Sequence, residues 1–256
     1  MYGWRGRIAI IVGKRNAVCE PEFSRMVPTG VSVYAARAGT HTTLSNYKQS
    51  QDNLEPVAIY TDPEVMSQVE KTTGQLAANL AGLKPNIVIF THNAASMASI
   101  QFNDKLTKIM SSQAGCPALT AGSAVVQALK AVGAQKIGLA DPFPKPFLTQ
   151  IVKDHLQHPE VGFEVVNHAT AQGANPLAIT NMSPTIAYQI GKKADHSSAD
   201  TILLSANIWR TLEIIEPLEQ DLGKPVIAAN QATIWAALKM IGVPPERHYG
   251  SLFNHD

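Results

Sequence analysis

The stretch GCPALTAGSAVVQALKAVG (115–133) recurs at 223–242 as GKPVIAANQATIWAALKMIG, with one residue inserted late. Two further pairs run in the same order. NIVIFTHNA (86–94) lies on DTILLSANI (200–208), and RIAIIVGK (7–14) lies more weakly on KIGLADPF (136–143). A strand, an excursion and two strand-helix units therefore occur twice, which constrains the chain to two similar halves, each burying one face of its sheet under its own helices.

Short Ile- and Val-rich runs alternate with segments of helical period, the signature of a mostly parallel sheet covered on both faces. Strands are expected at 7–12, 31–37, 86–92, 117–121, 136–141, 163–169, 201–206 and 225–230. Helices are expected near 62–82, 95–112, 123–132, 145–157, 176–194, 209–220 and 231–241. The fold class is α/β, two lobes related by a pseudo-twofold axis with the cleft between them. The repeat assigns 1–113 and 231–256 to the first lobe and 114–230 to the second. With 256 residues and 45% apolar residues, each lobe has material for a core.

In parallel sheets the ligand sits beyond the carboxyl ends of the strands, so the residues that end each strand are the candidates. They are Gly13 to Asn16, Thr91, His92, Asn93 and Thr120 to Ser123 from the first half. From the second they are Asp141 to Phe143, Ser205, Ala206, Asn207 and Ala229 to Gln231. The repeat sets Asn93 opposite Asn207 and His92 opposite Ala206, so one cleft receives paired amides and a single proton carrier. Backbone N–H groups at Gly122 and Ser123, beside the amides, suit a carboxylate, although Ser, Thr and Asn at such places also cap helices. Among the eight histidines only His92 stands at a predicted cleft position; its imidazole titrates close enough to neutrality to move a proton. Asp141, before Pro142, reads as a helix cap, and Cys19 as an inert thiol in a loop.

Charge excludes other classes. The net charge is +1 and the Lys and Arg residues are scattered, which leaves no nucleic-acid footprint. The apolar run near the N-terminus is too short for a signal core or a membrane span, so a cytoplasmic location is expected. Two cysteines, Cys19 and Cys116, offer neither a zinc motif nor a disulfide framework, and neither a metal nor an organic cofactor is expected. The expected partner is a small carboxylate; a homo-oligomer is compatible with the sequence.

The repeat together with RIAIIVGKRNAV, CPALTAGSAVVQALKAVGAQKIGLADPF, TILLSAN and the ending GKPVIAANQATIWAALKMIG…YGSLF resembles the aspartate/glutamate racemase superfamily, in its maleate isomerase and arylmalonate decarboxylase branch. The resemblance implies that Asn16 stands at a substrate-binding asparagine and that Asn175, in GANPLA, matches a second one. It also implies that the cysteines of the two symmetric strand ends are replaced by His92 and Ala206, that a tyrosine hydroxyl is replaced by Phe143, and that Cys116 is buried.

These departures bear on mechanism. Two-base racemisation needs a proton carrier on each face, and Ala206 supplies none. The remaining cleft suits a single proton transfer through an enediolate or enolate, as in decarboxylase or lyase chemistry, with His92 carrying the proton. Two alternatives stand beside this reading: a cis-trans isomerase or racemase whose thiol is Cys19, and a carboxylate-binding protein without catalysis.

Overall fold

A computed structural model describes residues 2–38, 62–143, 146–171 and 176–255. The expected Asn175 contact lies outside the described residues. Two four-stranded sheets, parallel throughout, carry the fold. The first has the order β2-β1-β3-β4, from β1 (Gly6–Gly13), β2 (Val31–Ala38), β3 (Ile87–Phe90) and β4 (Ala118–Thr120). The second repeats it as β6-β5-β7-β8, from β5 (Lys136–Asp141), β6 (Glu164–Thr170), β7 (Thr201–Leu204) and β8 (Val226–Ala228). The same strand order in both sheets is the architecture that the sequence repeat requires.

The expected lobe boundary at 113/114 needs correcting for one strand. Because β4 bonds to β3 (Val88 to Ala118, Phe90 to Thr120), residues 118–120 complete the first sheet and do not open the second. By the same pattern β8 pairs with β7 and completes the second sheet.

The helices are α1 (Cys19–Met26), α2 (Pro63–Ala81), α3 (Asn93–Ser96), α4 (Ile100–Ala114), α5 (Ala121–Ala131), α6 (Pro146–Leu156), α7 (Pro184–Ala194), α8 (Ile215–Leu222) and α9 (Ala229–Met240). Three expected helices are broken. Ser99 accepts from Phe102 N and so starts α4 afresh after α3. Ser183 and Pro184 separate a 3-10 turn (Pro176–Asn181) from α7, and a 3-10 turn (Leu212–Ile214) precedes α8. One helix was not expected at all: α1, which turns Cys19 from a loop residue into a helical one.

Alternation along β1 divides the core. Ile8, Ile10 and Val12 face the main cluster, which runs on through β5, β7 and β8, while Ala9 and Ile11 face α2 and α4. Residues 229–238 of α9 are all buried, as expected of a helix enclosed on every side between α1, α5 and the sheets. Gly138 permits a close approach here: a β-carbon on it would lie 2.4 Å from the Ala194 carbonyl oxygen, so α7 sits directly on β5 only because that position is glycine.

Candidate active site

The ends of β1, β3, β7 and β8 converge on one buried polar cluster. Beyond β1 the chain turns back, Asn16 N donating to Gly13 O. Asn16 Oδ1 accepts from Val18 N (2.9 Å) and Cys19 N (3.0 Å), which satisfies the first N–H groups of α1. Its Nδ2 points the other way, to Asn207 O (3.2 Å) and Cys19 Sγ (3.0 Å). At the end of β3, Thr91 Oγ1 donates to Ile11 O. The repeat-related asparagines meet directly: Asn93 N donates to Asn207 Oδ1 (3.1 Å), and Asn93 Nδ2 to Ser205 O (2.5 Å). Asn207 Nδ2 donates in turn to Asn230 Oδ1 (2.9 Å), at the start of α9.

The cluster joins the two sheets. Of the residues expected from sequence, it brings together Asn16, Thr91, Asn93, Ser205 and Asn207, with His92 and Ala206 between them in sequence. The amides differ from expectation in one respect. Their donors reach one another and the main chain, so Asn93 does not offer an amide N–H with no other role. Two polar atoms stand out instead: Ser205 Oγ and Asn93 Oδ1 are buried and take no hydrogen bond among the described residues.

The expected contacts at Gly122 and Ser123 have other partners. Gly122 N donates to Ser96 Oγ, which donates to Asn93 O, and a β-carbon on Gly122 would meet Ser96 Oγ at 2.7 Å. Ser123 belongs to the cap of α5, with Thr120 Oγ1 accepting from its N–H and Asn103 Nδ2 donating to its Oγ. Both brace the site from behind. Phe143 is half-buried and packs against both core clusters as an apolar wall. Cys116 is half-buried, not buried as the resemblance implied.

His92 follows β3 and is half-buried, its ring set edge-on to Phe90 at 6.0 Å between centroids. Its Nδ1 is buried, and desolvation lowers the imidazole pKa to about 4, so the ring is neutral at physiological pH. Asp141, wholly buried at the end of β5, accepts from Phe143 N (2.8 Å) and Thr149 Oγ1 (2.5 Å), as a cap would. Burial still raises its pKa to about 6, against the smaller effects of those bonds.

The signs of these two shifts oppose each other. Asp141 binds its proton more tightly folded than unfolded, so its contribution to stability falls as pH rises from about 4 to 6. His92, held down, contributes stability that rises with pH over the same interval. Asp141→Asn removes the first effect alone. The wild-type-minus-variant difference in unfolding free energy should fall by about 2 kcal/mol between pH 4 and 7, as read from urea curves at each pH. A difference that does not change with pH would mean that the carboxyl is ionised normally.

Sequence reasoning missed Glu22 and read Cys19 chiefly as an inert loop thiol; Asn230, one of the strand-end candidates, joins both to the cluster. Cys19 is buried at its centre, 3.3 Å from both Asn207 O and Asn230 Oδ1, and burial pushes its thiol up to about 12. Glu22, also buried, accepts from Thr211 N, Leu212 N and Asn230 Nδ2, and burial raises its pKa despite those donors. Asn230 bridges them. A signal was present: Cys19, Glu22, Phe23 and Met26 are spaced as one helical face, with an acid inside the apolar stripe.

Two four-stranded parallel sheets with a polar cluster at their carboxyl ends define a two-lobed α/β protein whose buried polar cluster, a candidate site, lies where the sheets meet. The chain belongs to the arylmalonate decarboxylase family, whose model matches residues 55–253. It is 25% identical over 246 residues to a maleate isomerase of Pseudomonas putida, covering 93% of each chain. It is 26% identical over 163 residues to the arylmalonate decarboxylase of Bordetella bronchiseptica, covering 60% of this chain and 64% of that one. Among solved structures it resembles a Nocardia farcinica maleate cis-trans isomerase variant with a covalently bound succinylcysteine intermediate. There the TM-score is 0.78 and the identity 19%, over 98% of this chain and 99% of that one. Both kinds of relative are enzymes, isomerases and decarboxylases. No helix among the described residues is long and apolar enough to cross a membrane.

Proposed function

We propose that the protein is a cofactor-independent lyase of decarboxylase type, acting on a small carboxylic acid through an enediolate, with His92 supplying one proton. The observation that carries this reading is the place of His92 in the fold. The side chain is a neutral imidazole, half-buried, at the end of β3 beside the asparagine that bonds across to the second sheet. With its pKa near 4 it is a poor base for removing a proton from carbon. An enediolate is a strong base, however, and accepts a proton even from a neutral N–H. Delivery is therefore favoured over abstraction.

Carbon–carbon cleavage releases carbon dioxide and leaves the electron pair on the α-carbon as the enediolate. The imidazole N–H protonates that carbon, and the ring regains its proton from solvent. Ser205 Oγ, buried and with its hydroxyl uncommitted, donates to the remaining carboxylate; Phe143 walls the apolar side. Ala206, which the sequence repeat pairs with His92, bears no acidic proton, so protonation comes from one face only. The maleate isomerase relatives suggest thiol chemistry as the competing route, for which the polar cluster has the buried Cys19.

A screen of malonates, maleate, hydroxy acids and ureides, by thermal shift and then by turnover, tests the reading. Turnover of a malonate that His92→Ala loses and Cys19→Ser keeps supports it. The reverse pattern assigns the chemistry to the thiol. Saturable binding without turnover of any acid makes the protein a carboxylate binder.

A further inference from the structure

We infer that the substrate is an α-hydroxy acid, its hydroxyl donating to Asn93 Oδ1 while its carboxylate accepts from Ser205 Oγ. The inference rests on the carboxylate site proposed at Ser205 and adds the class of acid that fills it. Asn93 has every polar atom engaged but one. Its N donates to Asn207 Oδ1 (3.1 Å), its O accepts from Met97 N (3.0 Å) and Ser96 Oγ (2.8 Å), and its Nδ2 donates to Ser205 O (2.5 Å). Ser205 is alike: its N donates to Ala140 O (3.0 Å) and its O accepts from Asn93, which leaves the hydroxyl. Both residues are buried, Asn93 3% and Ser205 2% exposed, and neither Asn93 Oδ1 nor Ser205 Oγ takes a hydrogen bond among the described residues.

The Asn93 carboxamide has its ends fixed. A main-chain carbonyl only accepts, so turning the amide over would set two oxygens against each other at Ser205 O. Its Oδ1 is therefore a buried acceptor, and such an atom is costly to leave without a donor. The two unmet atoms ask for opposite things. Ser205 Oγ can donate to a carboxylate; Asn93 Oδ1 repels one and needs an O–H or N–H. The bond from Asn93 Nδ2 to Ser205 O holds the two residues side by side, yet Ser205 Oγ does not reach Asn93 Oδ1. An acid with a hydroxyl on its α-carbon meets both needs from neighbouring atoms. An α-amino acid fits less well, because its ammonium would need an acidic partner, and Glu22 already accepts from Thr211 N, Leu212 N and Asn230 Nδ2. Unsubstituted malonate and maleate, as dianions, only accept, and would leave Asn93 Oδ1 stranded.

In a His92→Ala background, where the proposed route consumes nothing, hydroxymalonate, methylmalonate and fluoromalonate are titrated by calorimetry. The three differ in one small substituent, and only the first can donate from it. Hydroxymalonate is expected to bind about 10- to 100-fold more tightly than either of the others, which strand the buried acceptor. Adding Asn93→Ala should bring the three affinities within about threefold of one another, a comparison in which general loosening of the site cancels. Adding Ser205→Ala should weaken all three and keep their order. Equal binding of the three acids would show that water satisfies Asn93, and would overturn the inference; so would a preference that survives Asn93→Ala. Should Asn93→Ala fail to fold, the order of the three acids in the parent protein decides alone. Failure of all three to bind removes the carboxylate site and the inference with it. The expected order without turnover by the wild type leaves the inference standing and removes only the proposed reaction.

Discussion

His92→Ala lowers kcat by about 10²–10⁴-fold, the range for losing a positioned acid, and leaves KM nearly unchanged. Binding survives because Ser205, the group assigned to the carboxylate, follows β7 on the second sheet, whereas His92 follows β3 on the first. Folding survives because the ring is half-buried and its edge-on contact with Phe90 is of the order of 1 kcal/mol. Two measurements belong with the rate. In deuterium oxide the wild type should place one deuteron on one face of the product, since Ala206, which the sequence repeat pairs with His92, has no acidic proton to give; the variant, protonated by water, should give both configurations. The His92 ring resonance should show no titration between pH 5 and 8, because burial keeps its midpoint near 4. A variant that keeps both rate and facial preference would remove His92 from the chemistry.

Asn207→Ala destabilises the protein by about 1–3 kcal/mol, because it strands the buried Asn93 N–H without an acceptor. Asn230 Oδ1 loses the Asn207 amide but still accepts from the Cys19 thiol, so it is not orphaned. The effect is read as a lower urea midpoint with an unchanged m value. A surface comparison fixes the scale: cutting Arg5 from Glu246, a pair with both partners partly in water, should cost under about 1 kcal/mol. Equal costs for the two changes would mean that the amide bridge between the sheets is hydrated and carries little energy.

The architecture was legible in the sequence because it is written twice. Each half repeats the same apolar periods, so the strand ends, and with them Thr91, Asn93, Ser205 and Asn207, fall into place by superposition alone. The site was less legible where a residue works through a neighbour. Asn93 and Asn207 read as hands for a ligand, yet their bonds go to each other, because two identical strand ends facing across a cleft are also each other's nearest polar partners. Glu22 was missed for a different reason. The segment CEPEFSRM has a proline and three charges, so its helical period is faint until Asn16 is seen to satisfy its first N–H groups. The Gly122 N–H looked available to a carboxylate, but it donates to Ser96 Oγ.

The donors that neutralise Glu22 lie 189, 190 and 208 positions further along the chain, at Thr211, Leu212 and Asn230. A nascent polypeptide leaving the ribosome therefore presents α1 with an acid that has nowhere dry to go, long before its three partners exist. The first sheet cannot reach its final state during early synthesis; it waits, with that edge wet, until nearly the whole chain has been made. Severed after residue 113, the amino-terminal piece should bind a dye such as ANS and be cut readily by protease, as a chain held short of its native packing would be.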